Sequence, residues 1–141
     1  MADVATLVDE YLADTILMQL ATTGGDGPWA CTVHYVPDAD RNFYWLSRED
    51  RRHSQELAKD PRVAGVIVKP HEVGEKPRGI QFEGTAERVA DDDVERVQGL
   101  YKDRYGRDGF PDHVFYVVKP SRIVLFDTVN FPDDPQQELK P

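Results

Sequence analysis

Four cationic side chains follow an aromatic-rich run in the segment Phe43-Tyr44-Trp45-Leu46-Ser47-Arg48-Glu49-Asp50-Arg51-Arg52-His53. Their chemistry is oxyanion binding. Arginine presents forked N–H donors that match phosphate oxygens. A helix beginning just after the run would add free backbone N–H groups and the positive end of a helix dipole. The chain has 26 Asp and Glu against 17 Lys and Arg, for a formal charge of −9, so a basic cluster at a strand-to-helix junction stands out. The segment reads as a phosphate clamp. It reads equally as a solvated helix start in which Glu49 and Asp50 balance the arginines.

Other reactive residue types give less. Cys31 suits a redox thiol, but a lone strand cysteine is more often a small buried hydrophobe. The histidines His34, His53, His71 and His113 show no metal-ligand spacing. No Gly-x-Ser-x-Gly and no dinucleotide-binding glycine motif is present. Asp91-Asp92-Asp93 is a helix cap before it is a metal site. Trp29 and Trp45 are expected in the core or a dimer interface, with Trp45 on the strand that leads to the basic cluster.

The elements that would position the cluster follow from periodicity. Val4, Leu7, Val8, Tyr11 and Leu12 predict an amphipathic helix over 3–13. Thr15 to Thr22 and Trp29 to Val36 predict a hairpin around the turn Thr23-Gly24-Gly25-Asp26-Gly27-Pro28. Phe43 to Ser47 is a third strand, and a helix over Asp50 to Lys59 must end before Pro61. Arg62 to Lys69 is nearly continuously apolar and is expected inside the sheet. Gly79 to Val89 alternates Ile80, Phe82, Gly84 and Ala86 against polar residues, a half-buried strand with a bulge or bend at Gly84. Asp92 to Glu95 has capping-box spacing for a third helix, with Val94, Val97, Tyr101 and Tyr105 as its apolar stripe and Gly106 as its stop. Val114–Lys119 and Arg122–Asp127 complete seven short strands. Together these predict a mainly β fold, an antiparallel barrel with peripheral helices.

With 141 residues, one domain over 1–131 and a polar tail over 132–141 are expected, the tail disordered or laid on a partner. The acidic balance argues against nucleic-acid binding and against anionic membranes. One cysteine permits no internal disulfide, the N-terminus Met1-Ala2-Asp3-Val4 is acidic, and the longest apolar run, Val63 to Val68, is too short to span a bilayer. A cytoplasmic protein is the expectation.

Three segments carry a resemblance. They are Leu20-Ala21-Thr22 through Pro28-Trp29-Ala30-Cys31-Thr32-Val33-His34-Tyr35, then Phe43 to Leu57 followed by Asp60-Pro61-Arg62-Val63, then Gly79-Ile80-Gln81-Phe82-Glu83-Gly84. In this order and spacing the chain resembles the flavin-binding split-barrel superfamily typified by pyridoxamine 5′-phosphate oxidase. It looks most like that superfamily's small bacterial members. The resemblance implies an antiparallel split barrel and a homodimer with two FMN sites at the subunit interface. It implies that Thr32, Val33 and His34 meet the flavin ring. It implies that Leu46 and Ser47 reach the ribityl chain and phosphate, and that Arg51, Arg52 and His53 clamp the phosphate. Gln81 is implied to approach the ring. A phosphate contact would raise the pKa of His53.

Two departures bear on the substrate. Arg78-Gly79-Ile80-Gln81 replaces the oxidase's Arg-Gln-Val-Arg, and the tail Asn130-Phe131-Pro132-Asp133-Asp134 lacks its Arg-x-His element. Both speak against vitamin B6 oxidation. The expected function is that of an FMN-dependent oxidoreductase acting on another small molecule. A non-catalytic flavin- or ligand-binding dimer, and a deazaflavin- or haem-binding relative, stay open beside it.

Overall fold

The computed structural model describes residues 3–140. Met1 and Ala2 of the acidic N-terminus, and Pro141 at the end of the tail, lie outside the described residues. The first helix, α1 (Val4–Asp14), buries Leu7, Val8, Tyr11 and Leu12, the stripe its periodicity defines. Its start is capped by Asp3, whose carboxylate accepts from the Thr6 N–H at 3.2 Å.

β1 (Leu17–Thr22) and β2 (Trp29–His34) form the expected hairpin, with Leu17 opposite His34 and Thr22 opposite Trp29. The strand expected to continue to Val36 breaks at Tyr35. That residue turns its ring into the core, and its carbonyl accepts from Tyr105 and Arg104 instead of a ladder partner. Beyond it, β3 (Val36–Pro37) pairs with β4 (Phe43–Ser47). Then come α2 (Arg52–Lys59), β5 (Arg62–Val68) and β6 (Arg78–Arg88). A short 3-10 turn at Asp91–Asp93 leads into α3 (Val94–Tyr105). The capping box expected at Asp92 does not form. Asp93 occupies the cap without a side-chain cap bond, and its carboxylate instead holds Arg96 at 2.8 Å. Gly106 ends α3 with φ 77°, as its position predicts.

The two strands expected at 114–119 and 122–127 are one, β7 (Val114–Asp127). Pro120 does not break it because the register against β6 shifts between Glu83 and Gly84, leaving Ser121 as the extra residue of a bulge. Gly84 is required there, since a Cβ would sit 2.3 Å from the Lys119 carbonyl oxygen. The polar tail is also ordered. β8 (Gln136–Glu138) pairs with β7, and Leu139 packs on the core while its N–H donates to the Ile123 carbonyl at 2.9 Å. Hydropathy could not show this, because backbone bonds and a single leucine make the attachment.

All pairings are antiparallel, in the order β2-β1-β5-β6-β7-β4-β3, with β8 beside the second half of β7. β2 and β4 approach each other with no ladder between them, so the barrel is split along one seam. Met18, Leu20, Phe43, Trp45, Ile67, Ile80 and Leu125 fill its interior beneath α1. A second cluster seats Val97 and Tyr101 of α3 on Tyr44, Phe115 and Val117. β4 is therefore buried on both faces, which fixes where its last residue, Ser47, emerges. No helix among the described residues is long and apolar enough to cross a membrane.

Candidate functional site

A cavity of about 300 Å³ opens along the split seam. β2 contributes Thr32, Val33 and His34, and the end of β4 contributes Leu46 and Ser47. The turn into α2 brings Arg48, Arg51 and His53, and the α3–β7 side brings Tyr101, Phe110 and His113. Seven of the nine residues expected from the sequence, Thr32, Val33, His34, Leu46, Ser47, Arg51 and His53, thus share one cavity.

The turn is held by its own helix. The Ser54 hydroxyl donates to the Arg48 carbonyl at 2.8 Å, and Gln55 Nε2 donates to the Glu49 carbonyl at 2.6 Å. Arg48 pairs with Asp50 at 2.9 Å, and its guanidinium holds that carboxyl below the usual carboxylate range. Arg51 sits at the N-cap of α2 without a cap hydrogen bond, and no ion pair forms to it among the described residues. Arginine is a poor choice there for a helix alone. Caps favour short acceptors, and a cation at a helix N-terminus opposes the dipole. An oxyanion at this point would satisfy both the arginine and the first-turn N–H groups.

The structure does not bring Arg52 or Gln81 to this cavity. Arg52 is turned to the other side of α2, where Nε donates to Glu56 Oε2 at 2.7 Å and the guanidinium lies 4.3 Å over the Trp29 ring. Glu56 also accepts from the Thr22 hydroxyl at 2.7 Å. Thr22 and Arg52 together hold the Glu56 carboxyl below its usual range. Arg52 therefore fastens α2 to the β1–β2 hairpin. Trp29 is half-exposed under it, while Trp45 is fully buried and stacks on Tyr116. Gln81 is exposed on the outward face of β6, opposite Val66.

His53 corrects another expectation. It is neither solvated nor free to meet a ligand through Nε2, which lies 2.6 Å from Ser47 Oγ. Burial, and then the nearby Arg51 charge, push its pKa below the ordinary histidine value, the reverse of what a phosphate contact would produce. A depressed histidine contributes stability that is complete above its unfolded value. That contribution is lost as pH falls from about 6.5 through the folded value. The urea midpoint should therefore drop between about pH 7.5 and pH 5.5, and His53→Gln should shrink that drop. Equal drops in the two proteins would assign the acid sensitivity elsewhere.

Cys31 is half-buried against the core, and burial pushes its thiol up to about 11, as suits a packing residue. His34, His53 and His113 line the cavity and His71 does not, and no metal-holding cluster occurs among the described residues. Sequence reasoning missed Tyr101, Phe110 and His113. No local sequence signal marks them: Phe110 and His113 reach the basic turn through the pairing of Ser47 with Val114, and Tyr101 reads as part of the α3 apolar stripe.

A family model described as pyridoxamine 5′-phosphate oxidase matches residues 6–127. A UPF0306 protein of Pasteurella multocida is 29% identical over 99 residues, 70% of this chain and 66% of that one. A structure of a haem-binding protein from Mycobacterium smegmatis superposes with a TM-score of 0.80 at 22% identity, covering 99% of this chain and 59% of that one. HutZ, the haem storage protein of Vibrio cholerae, gives a TM-score of 0.72 at 17% identity over 86% of this chain and 94% of its own. This chain thus spans just under two thirds of the first two proteins. The structural likenesses share its split-barrel fold.

Proposed function

Because the chain belongs to the pyridoxamine 5′-phosphate oxidase family, we propose that its cavity holds FMN and that the protein is a flavin-dependent oxidoreductase acting on a small molecule. One observation carries the reading: an uncapped helix start with an unpaired arginine at its N-cap faces the same cavity as Ser47 and the β2 segment 32–34. That donor set fits a phosphate ester. Arg51, Arg48, Ser47 and the first-turn N–H groups of α2 hold the phosphate. Thr32, Val33, His34 and Leu46 flank the ring and the ribityl chain. His53 keeps the Ser47 hydroxyl in place. When bound, FMN supplies hydride and single-electron chemistry, and the chain supplies position and electrostatics.

The site is completed by a second copy of the chain. The outward face of the β2-β1-β5-β6 sheet carries Leu17, Ala21, Ala30, Ala64 and Val66 with Gln19, Thr32, Gln81 and Glu83, and no helix or strand among the described residues covers it. β5 is apolar on both faces, which suits a strand sandwiched between its own core and a partner. An isologous dimer on this face brings Gln81 of one copy toward the cavity of the other. Light scattering should give a dimer mass, and Ala64→Glu should give a monomer. A monomeric parent chain overturns the arrangement.

The functional test is reconstitution. Purified protein incubated with FMN should quench flavin fluorescence and stay yellow after the unbound flavin is removed, and reduced nicotinamide should then be consumed when a suitable acceptor is present. Flavin binding without turnover would favour a storage role. A haem absorption band with no flavin binding would favour the chemistry named for the two haem-binding neighbours and overturn this proposal.

A further inference from the structure

We propose that His113, on the loop between α3 and β7, is a direct phosphate ligand of the cavity, supplying the contact that His53 withholds. The inference rests on the FMN reading for the identity of the phosphate ester. It adds to that reading a residue and a loop outside the strand-turn-helix cluster.

Position comes first. Val114 is paired with Ser47, the last residue of β4. His113 is therefore one residue beyond the ladder, on the side where Arg48 begins the basic turn. It lines the cavity with Ser47, Arg48 and Arg51. Its ring is half-buried and rests against Phe110, with centroids 5.6 Å apart.

The hydrogen-bond inventory then assigns its nitrogens. His113 Nδ1 lies 2.7 Å from the Pro111 carbonyl oxygen. A carbonyl only accepts, so Nδ1 carries a proton and donates it there. Nε2 is left to meet a ligand, and no protein partner for it occurs among the described residues. His53 has the opposite arrangement, with Nε2 engaged by Ser47 and the ring buried. Of the cavity's histidines near the basic turn, His113 is thus the one with its outer nitrogen available.

A phosphate ester and an imidazole Nε2 can share one proton in either direction. The imidazolium donates to the dianion, or the P–OH of the monoanion donates to neutral Nε2. A phosphate ester has its second pKa at about 6, so both forms are accessible near neutrality. The bond is charge-assisted when the imidazolium donates to the dianion. It places a fourth side chain on the phosphate beside Arg48, Arg51 and Ser47, from an element that the turn does not control.

The test compares FMN with riboflavin, which lacks the phosphate. His113→Ala should lower FMN affinity about tenfold, and riboflavin affinity and the urea midpoint should stay unchanged. His113→Gln, which keeps a polar side chain of similar reach, should recover part of the loss. Equal losses for FMN and riboflavin would show a packing role and overturn the proposal, as would no loss at all. If the parent chain binds neither flavin, the functional reading itself falls. Inorganic phosphate titrated against the ring nitrogen signals then tests the clamp alone. A shift at His113 Nε2 that disappears in Arg51→Ala supports it, and an unmoved signal overturns it.

Discussion

Arg51→Ala is expected to weaken FMN binding by about ten- to a hundred-fold, the worth of one charge-assisted phosphate contact at roughly 1.5–3 kcal/mol. Arg52→Ala should leave that affinity nearly unchanged. The adjacent arginines differ in what already engages them. Arg52 has Glu56 at 2.7 Å and the Trp29 ring at 4.3 Å, on the far side of α2. Arg51 has no carboxylate partner among the described residues and faces the cavity. Arg52→Ala should appear as lost stability instead, about 0.5–1 kcal/mol for a half-exposed ion pair with a cation–π contact. Flavin fluorescence titration and urea unfolding on both variants separate the roles. Equal FMN affinities for the parent and Arg51→Ala would remove Arg51 from the site.

Asp127→Ala should destabilise the fold by about 3–5 kcal/mol, the range for breaking a buried charged network. Asp127 is fully buried at the end of β7. Its carboxylate accepts from the Tyr11 hydroxyl, from Asn130 Nδ2 at 2.7 Å, and from the N–H groups of Val129 and Asn130 at 3.0 and 2.9 Å. Without it, Tyr11 of α1 loses its bond to β7 and several donors lose their acceptor. Asp127→Asn, which keeps one acceptor oxygen, should cost less. Burial alone would push the Asp127 carboxyl up, but the donors outweigh it and hold it below the usual value. Its stabilisation is complete above the unfolded carboxylate value of about 3.9 and is lost as pH falls through the lower folded value. It contributes nothing to the pH dependence expected near 6.5 from His53. A loss under about 1 kcal/mol for Asp127→Ala would show that the network relaxes without it.

Much of the fold was legible because one face of each element is buried. The α1 stripe, the Ile80–Ala86 alternation and the Gly106 stop all appear as read. The errors lie where backbone geometry outweighs composition. Pro120 looks like a strand end, yet a bulge absorbs it. The tail looks solvated, yet ladder bonds attach it to β7. Within the site, the residues of β2 and the end of β4 came from the family resemblance, and the structure gathers them along one cavity. Arg52 was not read correctly: Glu56 four residues on offered it a helix partner, and the distant Trp29 ring completes the pull away from the cavity. His113 was not legible, because its place depends on a pairing between residues far apart in the chain.

The order of strands also bears on how the molecule is made. The cavity lies between β2 and β4, yet the hydrogen-bonded path from one to the other runs through β1, β5, β6 and finally β7. β7 joins β4 to the rest of the sheet, and its residues, 114–127, leave the ribosome after every residue that lines the cavity. Translation adds about 5–20 residues per second. The growing chain therefore carries a four-stranded sheet and a detached β3–β4 arm until β7 is exposed. A nascent chain arrested before Val114 holds the residues that fasten α2 to the β1–β2 hairpin, Arg52, Glu56 and Thr22, but lacks the strand that pairs with β4 and fixes Ser47. The β4 side of the cavity is thus tied into the sheet only in a late step of synthesis.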